Sequence, residues 1–147
     1  MSILQRDIPE ARVLDLFAGS GALGLEALSR GARHVDLVDF STASLRAIRA
    51  NVETLGALPY VTLHREDALR YVRKLPPLAF DVAFADPPYR FGIAQKLADH
   101  WLATPFARVL GIEHDVHDPL PGGDTRSYGG TAITLYRYED GADIGGT

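Results

Sequence analysis

The sequence contains no cysteine, one methionine and one tryptophan among its 147 residues. Without cysteine the chain cannot form disulfides, cysteine-ligated zinc sites or a thiol nucleophile. It also lacks any apolar run near the roughly 18 residues that a membrane helix needs. Its first residues, MSILQRDIPEA, do not combine a basic region with an apolar one, as an export signal would. We therefore expect a cytoplasmic protein without a membrane span.

The chain is also short of positive charge, with 15 basic against 19 acidic residues and a net charge of −4. Proteins that bind nucleic acid usually present a basic surface, so this balance argues against a broad phosphate-binding face. The basic residues are nevertheless concentrated in the middle of the chain. They include Arg46, Arg49, Arg65, Arg70, Arg73, Lys74 and Arg90.

Short apolar, β-branched segments alternate with helical patterns along the chain. This alternation predicts a parallel sheet with helices on both faces. The expected strands are Arg12–Phe17, His34–Asp39, Tyr60–Arg65, Phe80–Asp86 and Arg108–Glu113. The expected helices are Ala22–Arg30, Ser41–Leu55, Asp67–Lys74 and Ile93–Leu102.

The pattern changes after Glu113. A loop rich in proline and glycine is followed by Arg126–Tyr128 and Thr131–Tyr138, two runs joined at Gly129-Gly130 that predict an antiparallel hairpin at the sheet edge. The fold class is thus α/β: an open, mostly parallel, doubly wound twisted sheet. We expect one domain over residues 1–139 and a disordered tail over 140–147.

The stretch VLDLFAGSGALG places a G-x-G-x-x-G pattern after the first strand. Backbone N–H groups and a helix dipole at such a loop favour an anionic part of a ligand. The candidate ligand-binding residues here are Asp15, Phe17, Ala18, Gly19, Ser20 and Gly21. The pattern alone is weak, since it also fits a tight turn or a dinucleotide site.

Two acids favour a cationic nucleoside over a dinucleotide. Asp15, within the first strand, would repel a pyrophosphate but suits a ligand that carries ammonium or sulfonium charge. Asp39 ends the second strand, where an acid accepts hydrogen bonds from ribose, and Phe40 follows it. Ribose joined to a cationic amino-acid tail describes S-adenosylmethionine, which we expect as the cofactor.

The fourth strand ends in Asp86-Pro87-Pro88-Tyr89, and we expect this tetrapeptide to face the same crevice. A carboxylate, a rigid turn with free carbonyls and an aromatic face suit an exocyclic amine on a nucleobase. Asp86 and the Pro87 carbonyl could accept the two N–H bonds and turn the nitrogen lone pair toward a methyl donor. The alternative is a rigid loop with a core tyrosine. We expect Asp86, Pro87, Pro88 and Tyr89 to be catalytic, with Asp86 also beside the cofactor.

These blocks, together with VDLVD, HREDA and YGGTAITLYRYE, resemble the bacterial RsmD family from Arg12 to Glu139. Members are class I methyltransferases that methylate the N2 amine of one guanine in 16S ribosomal RNA. The resemblance implies a Rossmann-like methyltransferase fold and a small-subunit rRNA partner, and we expect a monomer. It also implies that Asp15, Gly19 and Gly21 line the cofactor site, that Asp39 holds the ribose and that Asp67-Ala68 contacts the adenine.

The family usually carries an Arg- and Gly-rich N-terminal arm, whereas this chain starts almost at its first strand. A non-catalytic module that binds S-adenosylmethionine is therefore one alternative. Others are a methyltransferase for another amine, such as adenine N6 in DNA, and an NAD-dependent oxidoreductase.

We assign no catalytic role to three further features of the sequence. His114 to Asp118 is expected to be a solvated loop and no metal site. Trp101, spaced with Ile93 and Leu97 on one helical stripe, is expected in the core. Arg90 fits a phosphate contact and a solvated side chain equally well.

Overall fold

In the computed structural model, residues 2–139 are described, with side chains from Leu4 onward. The expected disordered tail lies outside the described residues. The strands are β1 (Arg12–Leu16), β2 (His34–Asp39), β3 (Val61–Arg65), β4 (Phe80–Ala85), β5 (Ala107–Asp115), β6 (Asp124–Tyr128) and β7 (Thr131–Arg137). The helices are α1 (Ala22–Ser29), α2 (Thr42–Thr54), α3 (Ala68–Arg73) and α4 (Ile93–Ala103), with short 3₁₀ segments at Ser2–Asp7 and Leu58–Tyr60.

Local capping explains where two of the helices begin. The Ser41 hydroxyl accepts a hydrogen bond from the Ser44 N–H at 3.2 Å and so caps α2. The Asp67 carboxylate accepts one from the Arg70 N–H at 3.0 Å and caps α3. Both caps agree with the predicted starts of these helices.

The seven strands form one sheet in the order β3-β2-β1-β4-β5-β7-β6. The first five are parallel, and β7 pairs antiparallel with both β5 and β6. The chain therefore runs outward from β1 to β3 and then returns to β4 on the other side of β1. Ligands of open α/β sheets bind at such a reversal, just beyond the carboxyl ends of the strands. Here the reversal lies between β1 and β4.

Each face of the sheet carries its own apolar core. On one face, Ile48 and Val52 of α2 pack with Val35, Leu37 and their neighbours. On the other, Trp101 and Leu97 of α4 pack with Phe106, Tyr136 and their neighbours. Trp101 also donates its indole N–H to the Ala107 carbonyl at 2.9 Å, so its predicted place in the core is confirmed.

The prediction for His114 was wrong. The sequence places it in a solvated loop, but β5 continues to Asp115 and His114 is only 3% exposed. Antiparallel pairing with β7 covers this end of β5, and His114 Nε2 lies 2.7 Å from the Thr134 hydroxyl. None of the helices within residues 2–139 is long and apolar enough to cross a membrane.

Candidate active site

The glycine loop joins β1 to α1 through left-handed backbone conformations. Gly19 has a φ of +58° and Gly21, which precedes the first residue of α1, a φ of +83°. Such values suit glycine because it has no Cβ to clash. Phe17 shares this region with a φ of +60°, which is uncommon for a residue with a large side chain.

Gly24, the third glycine of the pattern, allows α1 to lie directly on the sheet. A Cβ added there would come within 2.5 Å of Leu37 Cδ2 and 2.9 Å of Val35 Cγ1 in β2. Its N–H also donates to the Asp15 carboxylate at 3.1 Å. Asp15 is 2% exposed, so it anchors the first turn of α1 from inside the protein.

Asp39 connects the end of β2 to the glycine loop. One of its carboxylate oxygens accepts the Gly19 N–H at 2.9 Å, and the other accepts the Ser41 N–H at 2.9 Å. The next residue, Phe40, is 68% exposed, with the Arg65 guanidinium 5.5 Å from its ring centre. An acid and an aromatic face therefore border the loop on its β2 side.

Three carboxyl groups make the crevice electrically negative. The pKa of Asp15 is raised to about 7, mainly by burial and to a smaller extent by repulsion from Asp39 and Asp86, while its hydrogen bond from Gly24 opposes the rise. Asp39 and Asp86 are therefore close enough to act on the Asp15 carboxyl group. Such a site favours a cationic group over a pyrophosphate.

The Asp86-Pro87-Pro88-Tyr89 tetrapeptide follows β4 directly beside the loop that follows β1. The two strands are parallel neighbours, and Leu16 pairs with Ala85 at their carboxyl ends. Pro87 is buried, whereas Asp86, Pro88 and Tyr89 are exposed. The Tyr89 hydroxyl lies 3.5 Å from the Thr131 hydroxyl, and half of the side chain remains open to solvent.

Glu113, which the sequence analysis did not select, lies beside Asp86. Both residues line one cavity, their carboxyl groups are joined by a hydrogen bond, and partial burial raises the pKa of both. For Glu113, repulsion from Asp86 and the hydrogen bond between the groups raise the pKa further, so Glu113 is the better proton holder of the pair. The available signal was that Glu113 ends the fifth apolar strand expected from the sequence. Its proximity to Asp86 could be inferred only once β5 was known to lie next to β4.

Asp67 and Ala68 lie farther along the same edge, after β3. Asp67 uses a carboxylate oxygen to cap α3, and Ala68 is the buried first residue of that helix. The strands β2 and β1 separate this position from the tetrapeptide after β4. The predicted residues thus form a line along the carboxyl edge, with the glycine loop and tetrapeptide adjacent and Asp67 at one end.

No group of three or more potential metal ligands occurs among the residues that the structure describes. A cavity of about 110 Å³ opens beside the tetrapeptide, and its lining includes Asp86, Glu113 and several apolar side chains. The arrangement can therefore present carboxyl acceptors and an aromatic face to a ligand at the junction of β1 and β4.

Comparison with known proteins gives consistent results. Residues 1–137 match the family described as Conserved hypothetical protein 95. The chain is 35% identical over 138 residues to a Bacillus subtilis protein provisionally named rRNA methyltransferase YlbH, covering 86% of this chain and 75% of that protein. It is 35% identical over 119 residues to ribosomal RNA small subunit methyltransferase D of Escherichia coli K12, covering 78% of this chain and 58% of that protein.

Solved structures show the same architecture. The Escherichia coli protein yhhF, provisionally described as a methyltransferase, superposes with a TM-score of 0.81 at 28% identity. The match covers 94% of this chain and 81% of that one. The chain spans from about half to three quarters of the length of the curated relatives it matches, with values of 48%, 58% and 75% for three of them.

The sheet order, the glycine loop after β1 and the structural neighbours define a class I methyltransferase fold. Within that class, the match over residues 1–137 and the similarity to the methyltransferase D proteins identify the family. The chain belongs to the RsmD-type family.

Proposed function

We propose that this chain transfers a methyl group from S-adenosylmethionine to the exocyclic N2 amine of a guanine in 16S ribosomal RNA. The observation that carries the proposal is the adjacency of the glycine loop and the Asp86-Pro87-Pro88-Tyr89 turn at the carboxyl ends of β1 and β4. The relatives named as small-subunit rRNA methyltransferases support the substrate class.

The described residues fit S-adenosylmethionine. Asp15, Asp39 and Asp86 make the crevice negative, which favours a sulfonium and an ammonium group. Asp39 retains acceptor capacity for ribose hydroxyls beyond its two backbone bonds, because a carboxylate has about four lone-pair sites. Phe40 offers an exposed ring beside that position, and Asp67-Ala68 are proposed to contact the adenine. When bound, the cofactor supplies an electrophilic methyl group.

The tetrapeptide is proposed to hold the target base. Asp86 and the Pro87 carbonyl accept the two N–H bonds of the amine, which turns its lone pair toward the cofactor side of the crevice. Positive charge develops on the nitrogen during transfer, and the Asp86 carboxylate stabilises it. Tyr89, half exposed beside the turn, gives the base a stacking surface. The excess proton can leave to solvent after transfer.

The rim of the crevice suits an unpaired RNA base more than a duplex. Phe91 is 73% exposed, and the Arg90 guanidinium lies 5.3 Å from its ring centre. Phe40 and Arg65 form a similar pair at the other side. Exposed aromatic rings with arginine nearby bind bases by stacking, and RNA loops already present unstacked bases.

The test is methylation of small ribosomal subunits and of DNA with labelled S-adenosylmethionine, followed by mass spectrometry of the nucleosides. We expect N2-methylguanosine from the subunits and no methylated DNA. N6-methyladenine in DNA as the product would contradict the proposal.

Asp86→Ala is the matched negative control for this reaction. It is expected to lower turnover at least about 100-fold, since it removes a group that stabilises charge in the transition state. Cofactor affinity, measured by calorimetry, should fall far less than turnover, since Asp15 and Asp39 remain to attract the cationic ligand. An equal loss of both quantities would contradict the role given to Asp86.

A further inference from the structure

The cavity beside the tetrapeptide has two charged residues in its lining, and both are acids. Asp86 contributes to the lining from the turn after β4, and Glu113 from within β5, two residues before that strand ends. The rest of the lining is apolar and includes Leu23, Phe84 and Ile133. A nucleobase that entered this cavity would thus meet a mostly apolar wall and a pair of carboxyl groups.

Strand register explains why the two acids face each other. β4 and β5 are parallel neighbours, and Ala85 pairs with Ile112. Asp86 directly follows Ala85, in the turn after β4, and Glu113 follows Ile112 within β5. Glu113 also pairs with Ile133 of β7, which holds its backbone in the sheet. Glu113 is therefore held within a strand, and Asp86 is placed one residue beyond the end of the neighbouring strand.

Within the part of the chain whose side chains are described, no ion pair neutralises these two acids. The two carboxyl groups instead lie together in the lining of the cavity, with a hydrogen bond between them. Adjacent carboxyl oxygens without a cation are matched best by a ligand with N–H donors on neighbouring atoms.

Among the RNA bases that carry an exocyclic amine, guanine has this pattern. Its N1–H lies directly beside the N2 amine, so two donors point the same way. The atom next to the amine on the Watson–Crick edge is an acceptor in adenine (N1) and in cytosine (N3). Such a lone pair would face a carboxyl oxygen and be repelled.

We propose that Glu113 accepts the N1–H of the target guanine while Asp86 accepts from its N2 amine, so that Glu113 selects guanine. This inference rests on the proposed function, because it assigns a specificity-determining residue to the same site. The ionised form of Glu113 provides the selection, because a carboxylate has only acceptors, whereas a protonated carboxyl could donate to an acceptor at N1.

The test compares two bases that differ at N1. The guanosine that the wild type methylates is first located, and RNA is then prepared with guanosine or with 2-aminopurine at that position. 2-Aminopurine keeps the amine but carries an acceptor at N1. The measured quantity is the ratio of kcat/KM for guanosine to kcat/KM for 2-aminopurine. The two bases differ in intrinsic reactivity, but this difference cancels when the ratio is compared between protein variants.

Glu113→Gln is the informative variant, since its amide nearly matches the carboxyl in shape but can offer an N–H to an acceptor at N1. We expect the ratio to fall about 10- to 100-fold, the range of a good base-edge contact. Glu53→Gln, on the exposed surface of α2, is the matched control and should keep the wild-type ratio. An unchanged ratio in Glu113→Gln would overturn the inference.

A binding measurement tests the same contact when turnover of a variant is too slow to measure. Dissociation constants are compared for RNA with inosine, which has an N1–H, and with unsubstituted purine, which has an acceptor there. The wild type should prefer inosine, and Glu113→Gln should lose that preference. An equal preference in both proteins counts against Glu113. If the wild type methylates no guanine at all, the proposed function fails, and the inference fails with it.

Discussion

At the scale of single residues, Asp15 combines a proposed role in cofactor binding with a cost in the stability of the folded state. It is an acid within an apolar strand, and burial raises its pKa to about 7. Its carboxylate also accepts the Gly24 N–H and so orients the first turn of α1. A charge at this position favours a cationic ligand but disfavours the folded state when the carboxyl ionises.

Asp15→Asn should therefore change the pH dependence of stability. Because the folded pKa is raised above 3.8, the folded state holds more protons, so this group's stabilising contribution falls as pH rises from about 4 to about 7. Asparagine cannot ionise and can still accept the Gly24 N–H. We expect the variant to exceed the wild type in free energy of unfolding by roughly 2–4 kcal/mol at pH 8, and by little at pH 4.

Urea unfolding at several pH values measures this difference. Asp124→Asn, at an exposed position on β6, is the control and should leave the profile unchanged. Cofactor affinity of Asp15→Asn should fall, since one negative charge leaves the crevice. A stability difference that is constant across pH would contradict the pKa assigned to Asp15.

At the scale of elements, the contact of α1 with β2 fixes the glycine loop. The first two glycines of the pattern provide left-handed backbone, and the third provides space. The buried Leu37 and Val35 side chains occupy the volume that a methyl group at position 24 would need. The geometry of the loop is therefore tied to the packing beneath it.

Gly24→Ala should destabilise the protein by about 1–3 kcal/mol, the usual cost of overpacking a core. It should also weaken cofactor binding, because α1 must shift away from β2. Gly130→Ala is the control, since a Cβ there meets no atom within 4 Å and its φ is not positive. Thermal unfolding with and without S-adenosylmethionine measures both effects. Equal stability of the two variants would show that α1 does not need this close approach.

The sequence predicted most elements to within one or two residues because hydrophobic period and capping are local signals. The start of α1 at Ala22, the caps Ser41 and Asp67, and the bounds of β2 agree with the structure. The burial of His114 was missed because it depends on β7, which is distant along the chain. The pairing of Glu113 with Asp86 was missed for a similar reason, since it requires the order of β4 and β5 and the direction of two side chains.

At the scale of the whole molecule, the net charge of −4 and a proposed RNA substrate need to be reconciled. Phosphate attraction over a broad surface does not fit this charge, so stacking at the crevice rim must supply much of the affinity. The exposed rings of Phe40 and Phe91, each with an arginine near its face, lie at positions suited to this.

Phe91→Ala should then weaken binding of single-stranded RNA about 10-fold, consistent with the loss of one stacked base. Cofactor affinity should not change. Leu102→Ala removes a similarly exposed apolar side chain from α4 and serves as the control. Fluorescence anisotropy with a labelled 16S rRNA fragment gives both dissociation constants. Equal affinities for the Phe91 and Leu102 variants would rule out stacking at this position.

The proposed function requires that methyl donor and target amine meet where β1 and β4 end. A crystal structure with S-adenosylhomocysteine, the demethylated cofactor, tests it most directly. We expect the amino-acid tail on the glycine loop, the ribose hydroxyls bound to Asp39, and the sulfur pointing toward Asp86. A ligand bound elsewhere, or with its sulfur turned away from the end of β4, would rule out methyl transfer at this junction.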